Sequence, residues 1–171
     1  LSPENIIALI CPKASMNEAV LFLQVCKLRQ LNPFIPGEVF LIKMDENEPA
    51  VTVVGKYAFL KKADAHPDYL GYTAGIIVID LEGKMVEREG TFYMPKGKNW
   101  KEGEVFETLI GGWARVKRKG REDFVEKIAL QEAIKLKRDG TPNRGWRDQP
   151  ATMVRKVAVV RGHREAFPAE L

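Results

Sequence analysis

Residues that commonly carry covalent or metal chemistry are scarce in this sequence. Serine occurs only at Ser2 and Ser15, and Ser15 is better explained as a helix cap, so a serine nucleophile has almost no support. His66 and His163 lie far apart, and neither is near a cysteine in metal-ligand spacing, which argues against a structural zinc site. There is no G-x-x-x-x-G-K-S/T phosphate loop, so ATP hydrolysis has no sequence support, and there is no G-x-G-x-x-G motif. We therefore expect a protein that is not an enzyme and uses no metal or cofactor.

Cysteines and long apolar runs are also few. Cys11 and Cys26 lie in or beside an apolar, helical stretch, as small core residues of a protein in a reducing compartment do. No apolar run approaches the roughly 20 residues needed to span a bilayer, and the N-terminus shows no secretory signal. We expect a cytoplasmic location and no membrane partner. Because the chain lacks an initiating Met and stops soon after Pro168, we also expect a fragment of a longer protein.

An excess of positive charge marks the second half of the chain. The 171 residues carry a formal net charge of +4. When Lys and Arg are counted against Asp and Glu, residues 1–95 contribute 9 − 12 = −3 and residues 96–171 contribute 18 − 11 = +7. A basic half of this kind favours an anionic polymer or surface as the partner.

The hydrophobic pattern predicts an α+β fold, in which a small antiparallel sheet of hairpins packs with helices in a single domain. Ser15 and Glu18 form a capping box that starts a helix running to about Gln30. A short helix is predicted at 56–65, and residues 124–137 fit a strand followed by a helix, with an ambiguous period. Strands are predicted at 38–44, 49–55, 69–80, 85–93, 104–110 and 113–117, with a break or bulge at Gly111 and Gly112.

The segment 146–168 is predicted to be one helix. Pro150 suits a first helical position, and Pro168 ends the helix. Its apolar residues lie on several sides, which predicts packing against more than one surface, and four of them share one side: Met153, Val157, Val160 and Phe167. The pattern alone also fits a core helix whose long cationic side chains lie over apolar surface. The cations are Arg147, Arg155, Lys156, Arg161 and Arg164.

Cations alternate with aromatic residues at four places. Cations neutralise phosphates, and aromatic rings stack on bases without reading sequence. Each cluster alone would fit a solvated surface, but four in one chain favour nucleic acid, bound independently of sequence. The clusters are Lys56/Tyr57/Phe59/Lys61/Lys62, Lys98/Trp100/Lys101, Trp113/Arg115/Lys117 and Arg144/Trp146/Arg147, and Arg115 also opens a basic run without an acid at 115–121.

The motif Asp80-x-Glu82-x-Lys84 after a strand has two interpretations. Acid-acid-lysine clusters occur in metal-dependent nucleases, where carboxylates hold magnesium near the scissile phosphate. An exposed hairpin turn uses the same residue types. A two-metal site needs a further acid that the sequence cannot place, so the turn is favoured and the nuclease is kept as an alternative.

The last predicted helix carries the most specific pattern. The motif W-x-x-x-P-x-x-M-x-R-K-x-A at 146–158, followed by R-E-A-F-P at 164–168, resembles the signature of the phage Bet recombination proteins in the Red-beta/RecT superfamily of single-strand annealing proteins. Further motifs similar to that family lie at 31–34, 53–55 and 112–116, and the likeness extends over about residues 13–168. Each motif alone is weak, but the combination is specific.

The resemblance implies an ATP-independent protein that binds single-stranded DNA and anneals complementary strands in phage homologous recombination. Residues 1–171 would form the DNA-binding and oligomerisation domain of a ring or helical filament. The implied partners are single-stranded DNA, the annealed duplex intermediate, further copies of the chain, a partner exonuclease and a host single-strand binding protein. The last two would be contacted through a C-terminal region that this chain lacks.

The resemblance also implies which side chains bind DNA. Arg155, Lys156 and Arg164 would line the groove, and Lys61 and Phe59 occupy positions that the family fills with a basic and an aromatic residue. Ala151 and Val157 are neutral where Red-beta is basic, so we expect some of the phosphate contacts to be made instead by Arg147, Arg161 or the run 115–121. The full set of predicted DNA-binding residues is Lys61, Arg115, Lys117, Arg118, Arg144, Arg147, Arg155, Lys156, Arg161 and Arg164, with Phe59, Trp113 and Trp146 as candidates for base stacking or lining the groove.

Two further expectations concern assembly and the competing functions. The helices at 15–30 and 150–167 are apolar on more than one side, so we hypothesise that they make subunit contacts as well as core contacts. A passive single-strand DNA-binding protein, which binds strands without accelerating their pairing, remains an alternative to annealing, as does the nuclease.

Overall fold

The computed structural model describes residues 1–168. The chain forms two compact units, Leu1–Lys61 and Lys62–Leu171. Helices are combined with two antiparallel sheets, one of two strands and one of four, which confirms the predicted α+β class. Within the described residues, no helix combines the length and the apolarity needed to cross a membrane.

The first unit is built from a β-hairpin and helices around one core. Its elements are α1 (Pro3–Leu9), α2 (Met16–Arg29), β1 (Val39–Ile42), β2 (Val51–Val54) and the first part of α3 (Lys56–Asp64), a helix that crosses the boundary between the units. The predicted hairpin is confirmed, with Phe40 paired opposite Val53. The sequence did not predict α1. The core contains Ile6, Phe22, Cys26, Val39 and Leu41.

The predicted capping box at the start of α2 is confirmed. The Ser15 hydroxyl accepts a hydrogen bond from the Glu18 N–H, and the Glu18 carboxylate accepts one from the Ser15 N–H at 2.8 Å. The same carboxylate accepts hydrogen bonds from the Ala50 N–H and from Lys43 Nζ. These donors, the Ser15 N–H foremost, lower the pKa of Glu18 to about 2. One side chain therefore starts the helix and ties it to the hairpin.

The second unit is a four-stranded antiparallel sheet with a long helix on one face. Its strands are β3 (Tyr69–Ile79), β4 (Met85–Glu89), β5 (Thr108–Arg118) and β6 (Phe124–Ala129), in the spatial order β4-β3-β5-β6. Its further helices are α4 (Leu130–Ala133), α5 (Arg144–Asp148) and α6 (Pro150–Ala166). Helix α6 lies across β5, β6 and β3, and α5 packs against α6.

Two predicted boundaries are wrong. Residues 146–168 do not form one helix, because α5 ends at Asp148 and α6 begins at Pro150. A proline disfavours helical geometry in the residue before it, and Gln149 is accordingly non-helical, with φ −137° and ψ 56°. The strand predicted to start at Glu104 starts only at Thr108, and β5 continues to Arg118 without a break; the predicted irregularity at Gly111-Gly112 is a register shift between Leu109 and Gly111, opposite Ile77 and Val78.

Candidate nucleic-acid interface

Small residues hold α6 close to the sheet. A Cβ added at Gly112 in β5 would lie 2.8 Å from the carbonyl oxygen of Val154, so only glycine permits this approach. Gly162 of α6 rests directly on the side chains of Ala114 and Val116. The buried residues of the helix are Ala151, Val154, Ala158, Val159, Gly162, His163 and Ala166.

The packed side of α6 differs from the apolar side that the sequence suggested. Met153, Val157 and Val160 are only half-buried, and Phe167 alone of that set is buried. The prediction assigned the packed side from the large apolar side chains, whereas close packing of a helix on a sheet favours small side chains. The helix therefore keeps a partly exposed apolar surface on its outer side.

The C-terminal end of α6 is locked by a buried polar contact. His163 Nδ1 lies 2.7 Å from the Val159 carbonyl oxygen, and Nε2 lies 2.9 Å from the Tyr69 hydroxyl. Because a carbonyl can only accept, Nδ1 carries the proton and Nε2 accepts the hydroxyl of Tyr69. Burial lowers the pKa of His163, and Phe167 packs edge-on against the Tyr69 ring.

The cations on α6 differ in their surroundings. Arg155 is half-buried, and its Nε donates to the Ala74 carbonyl oxygen of β3 at 3.3 Å. Lys156, Arg161 and Arg164 are exposed, and Arg161 interacts electrostatically with Glu126 of β6. Lys156 makes no hydrogen bond or ion pair with any described residue. The helix thus presents exposed positive charge from a backbone that the sheet holds in place.

Helix α5 adds a second group of cations around one carboxylate. The guanidinium of Arg147 binds Asp148 at 2.8 Å, and Arg144 lies 3.9 Å from the same carboxylate. The hydrogen bond from Arg147 is the main cause of the lowered pKa of Asp148, and Lys98 also contributes. Lys98 is therefore a site candidate that the sequence analysis placed in a cluster but did not select.

The predicted cations of β5 lie on the other face of the sheet. Gly112, Ala114 and Val116 face α6, and side chains alternate along a strand, so Trp113, Arg115 and Lys117 face away from the helix. Arg115 lies 3.7 Å from the Asp123 carboxylate, and Lys117 is exposed. Trp113 is half-buried and donates from Nε1 to the Arg88 carbonyl oxygen. One flat surface cannot hold the cations of both α6 and β5.

The remaining predicted residues have structural contacts. Arg118 donates to the carbonyl oxygens of Glu122 and Ala166. Ala166 is at the C-terminal end of α6, where a cation interacts favourably with the helix dipole. Lys61 is 66% exposed and pairs with the buried Glu38 at 3.1 Å in the first unit. Phe59 and Trp146 are buried, so in this conformation their rings contribute to packing and offer no free face for a base.

The residues Asp80, Glu82 and Lys84 form a hairpin turn. The Asp80 carboxylate accepts hydrogen bonds from the N–H groups of Glu82 and Lys84, both at 2.9 Å. Glu107 lines the same open pocket of ≈ 480 Å³ but is held by Arg88 in a two-point ion pair. Among the described residues, no group of three or more His, Cys, Asp or Glu side chains is placed to hold a metal ion. The geometry of this turn favours a local structural role for Asp80.

A family model described as RecT family matches residues 3–171. None of the curated proteins matches the chain.

Proposed function

The chain belongs to the RecT family, and from this premise we propose that it binds single-stranded DNA and anneals complementary strands without ATP. The observation that supports this function best is α6, a helix seated on the sheet through glycine and alanine with Lys156, Arg161 and Arg164 exposed. Such a helix offers fixed positions for cations that contact a phosphate backbone.

Annealing requires that two polyanions approach each other with their bases accessible. Cations on α6 and α5 would neutralise the backbone of the first strand, which lowers its repulsion of the second. Base stacking then supplies the free energy of pairing, about 1.4 kcal/mol per step in duplex DNA, so no nucleotide hydrolysis is needed. A groove that contacts the backbone, and not the bases, leaves the bases free to pair.

We propose that α6 and α5 form the principal contact, through Arg144, Arg147, Arg155, Lys156, Arg161 and Arg164. Arg115 and Lys117 lie on the opposite face of the sheet and would form a separate contact with the backbone. Lys61 belongs to the first unit and would act through its exposed ammonium.

An assembly of many copies would bind DNA tightly even if each copy binds it weakly. Each chain contributes few phosphate contacts, but linked copies bind one strand at high effective concentration. The proposal therefore includes a ring or helical homo-oligomer of the single-strand annealing domain. It also includes the partners implied by the resemblance, a recombination exonuclease and a host single-strand binding protein, in the cytoplasm of a phage-infected bacterium.

The decisive experiment mixes two complementary labelled oligonucleotides with the protein in the absence of ATP and metal. An annealing protein accelerates duplex formation, a passive single-strand binding protein binds each strand without accelerating pairing, and a nuclease shortens the strands once magnesium is added. Glu82→Gln serves as the control for the nuclease, because that activity would be lost in this variant. Duplex formation no faster than that of the free strands would refute the proposal.

A further inference from the structure

The outer face of the hairpin in the first unit is apolar and exposed. Phe40 and Ile42 of β1 project from the same face as their partners Val53 and Val51 of β2, and all four side chains are exposed. The other face of the hairpin contributes Val39 and Leu41 to the core. An apolar patch of this kind on a folded chain commonly marks an interface.

A second apolar surface lies on α2 in the same unit. Ala19, Phe22 and Cys26 are buried on the inner side of the helix, whereas Leu21 and Leu28 are 65% and 85% exposed on its outer side. Beside this outer side, α1 and α2 border an open pocket of ≈ 280 Å³ lined by Pro3, Val20, Leu23, Gln24 and Lys27. Because α2 and the hairpin bury their inner sides in one core, their outer sides point away from that core in different directions.

The charges beside the two surfaces are complementary. The turn of the hairpin carries three exposed acids, Asp45, Glu46 and Glu48, whereas its one cation, Lys43, is 9% exposed and paired with Glu18. The last turn of α2 carries Lys27 and Arg29 and no acid. Two hairpin turns would repel each other, as would two ends of α2, so the charges favour contact of one kind of surface with the other.

We propose that the outer face of the hairpin in one copy binds the outer side of α2 in the next copy. This inference rests on the proposed function, which requires an assembly, and assigns its contact surface. The two surfaces are different and lie on different sides of one unit, so the contact is heterologous. Such a contact leaves a free surface at each end and continues into a ring or a helix, whereas a contact between identical patches stops at a dimer.

The test uses two variants that each remove one surface. Leu28→Glu places an acid where the acidic turn of the next copy would dock, and Val51→Lys places a cation where the basic end of α2 would dock. Both side chains are exposed, at 85% and 56%, so the fold should persist. We expect each variant alone to remain monomeric in light scattering, with and without a single-stranded oligonucleotide.

The mixture of the two variants gives the sharper result. Leu28→Glu keeps an intact hairpin and Val51→Lys keeps an intact α2, so an equimolar mixture should form a dimer and nothing larger. Assembly of either variant alone to the size of the unmodified protein, or a mixture that stays monomeric, would overturn the inference.

Two controls separate this inference from the proposed function. Val105→Lys changes a side chain that is 67% exposed in the second unit and should assemble normally, and thermal melting of every variant verifies the fold. If the unmodified protein assembles and anneals strands while the variants assemble equally well, only the contact surface is wrong. If the unmodified protein stays monomeric and does not anneal strands, both this inference and the proposed function are wrong.

Discussion

Arg155 and Lys156 are neighbours in sequence but have different tasks in the structure. The guanidinium of Arg155 reaches the Ala74 carbonyl oxygen and helps to hold α6 on β3, while Lys156 is exposed. In the proposed interface, Arg155 would contribute to folding and to binding, whereas the exposed Lys156 would contribute through its charge alone. Sequence patterns cannot separate these roles, because both residues are long and basic.

We expect Lys156→Ala to weaken single-strand binding and to reduce the slope of log affinity against log salt by roughly 1, the effect of losing one phosphate contact. Arg155→Ala should weaken binding and also lower the free energy of unfolding by on the order of 1 kcal/mol. Fluorescence anisotropy at several salt concentrations measures the first effect and urea unfolding the second. Lys84→Ala, in the hairpin turn, is the matched control. Binding by the Arg155→Ala/Lys156→Ala double variant that is unchanged at every salt concentration would remove these residues from the site.

His163 should make stability depend on pH. Its buried ring is neutral, and burial lowers its pKa below the value of about 6.5 that it has in the unfolded chain. As pH falls, the unfolded chain takes up the proton first, so the free energy of unfolding should decrease from about pH 7 to about pH 5. Urea unfolding across this range measures the effect. His163→Gln should flatten the curve; a variant whose curve equals that of the unmodified protein would contradict the assignment.

At the scale of elements, small residues decide where α6 sits. The sequence predicted a helix here with Pro150 suited to a first helical position, because proline geometry and helical pattern are local, but it did not predict the break at Gln149. It did not predict the packed side, because Ala158, Gly162 and Gly112 become informative only once the helix and β5 are adjacent. The sequence could not determine which face Arg115 occupies, for the same reason. The alternation along β5 separates two faces, but only the contact with α6 shows which of them the helix covers.

We expect Gly112→Ala to destabilise the second unit by about 1–3 kcal/mol, since the new methyl group would lie 2.8 Å from the Val154 carbonyl oxygen and α6 would have to move. The displaced helix should also bind single-stranded DNA more weakly. Gly97→Ala is the matched control, because a Cβ there meets no atom within 4 Å. Urea unfolding and anisotropy test both effects, and a Gly112→Ala variant as stable as Gly97→Ala would show that the close approach is not required.

At the scale of the whole molecule, the sequence predicts a single domain, and the structure divides the chain into two compact units. Helix α3 crosses their boundary, with Lys61 on one side and Lys62 on the other. A continuous helix cannot unfold in one unit without losing hydrogen bonds that begin in the other. Because of this shared helix, we predict that the two units unfold together.

Two natural probes test this cooperativity. Trp100, Trp113 and Trp146 all lie in the second unit, and the buried thiols of Cys11 and Cys26 lie in the first. We expect tryptophan fluorescence and thiol labelling to report the same urea midpoint, as a two-state transition requires. Gly112→Ala should shift both midpoints together. Separate midpoints, or a shift confined to fluorescence, would show two independent domains.

By itself the sequence determined the α+β class, the capping box at Ser15, the hairpins, the basic second half and the family motifs, because each depends on residues close together in the chain or on composition. Only the tertiary structure decided which side of α6 is buried, that Phe59 and Trp146 are packed inside, and that the cations of α6 and β5 lie on opposite faces of one sheet. These features depend on contacts between residues far apart in the chain, such as Gly112 with Val154 and Tyr69 with His163. A local pattern records the propensity of a segment, but the surface that covers it is set by the rest of the fold.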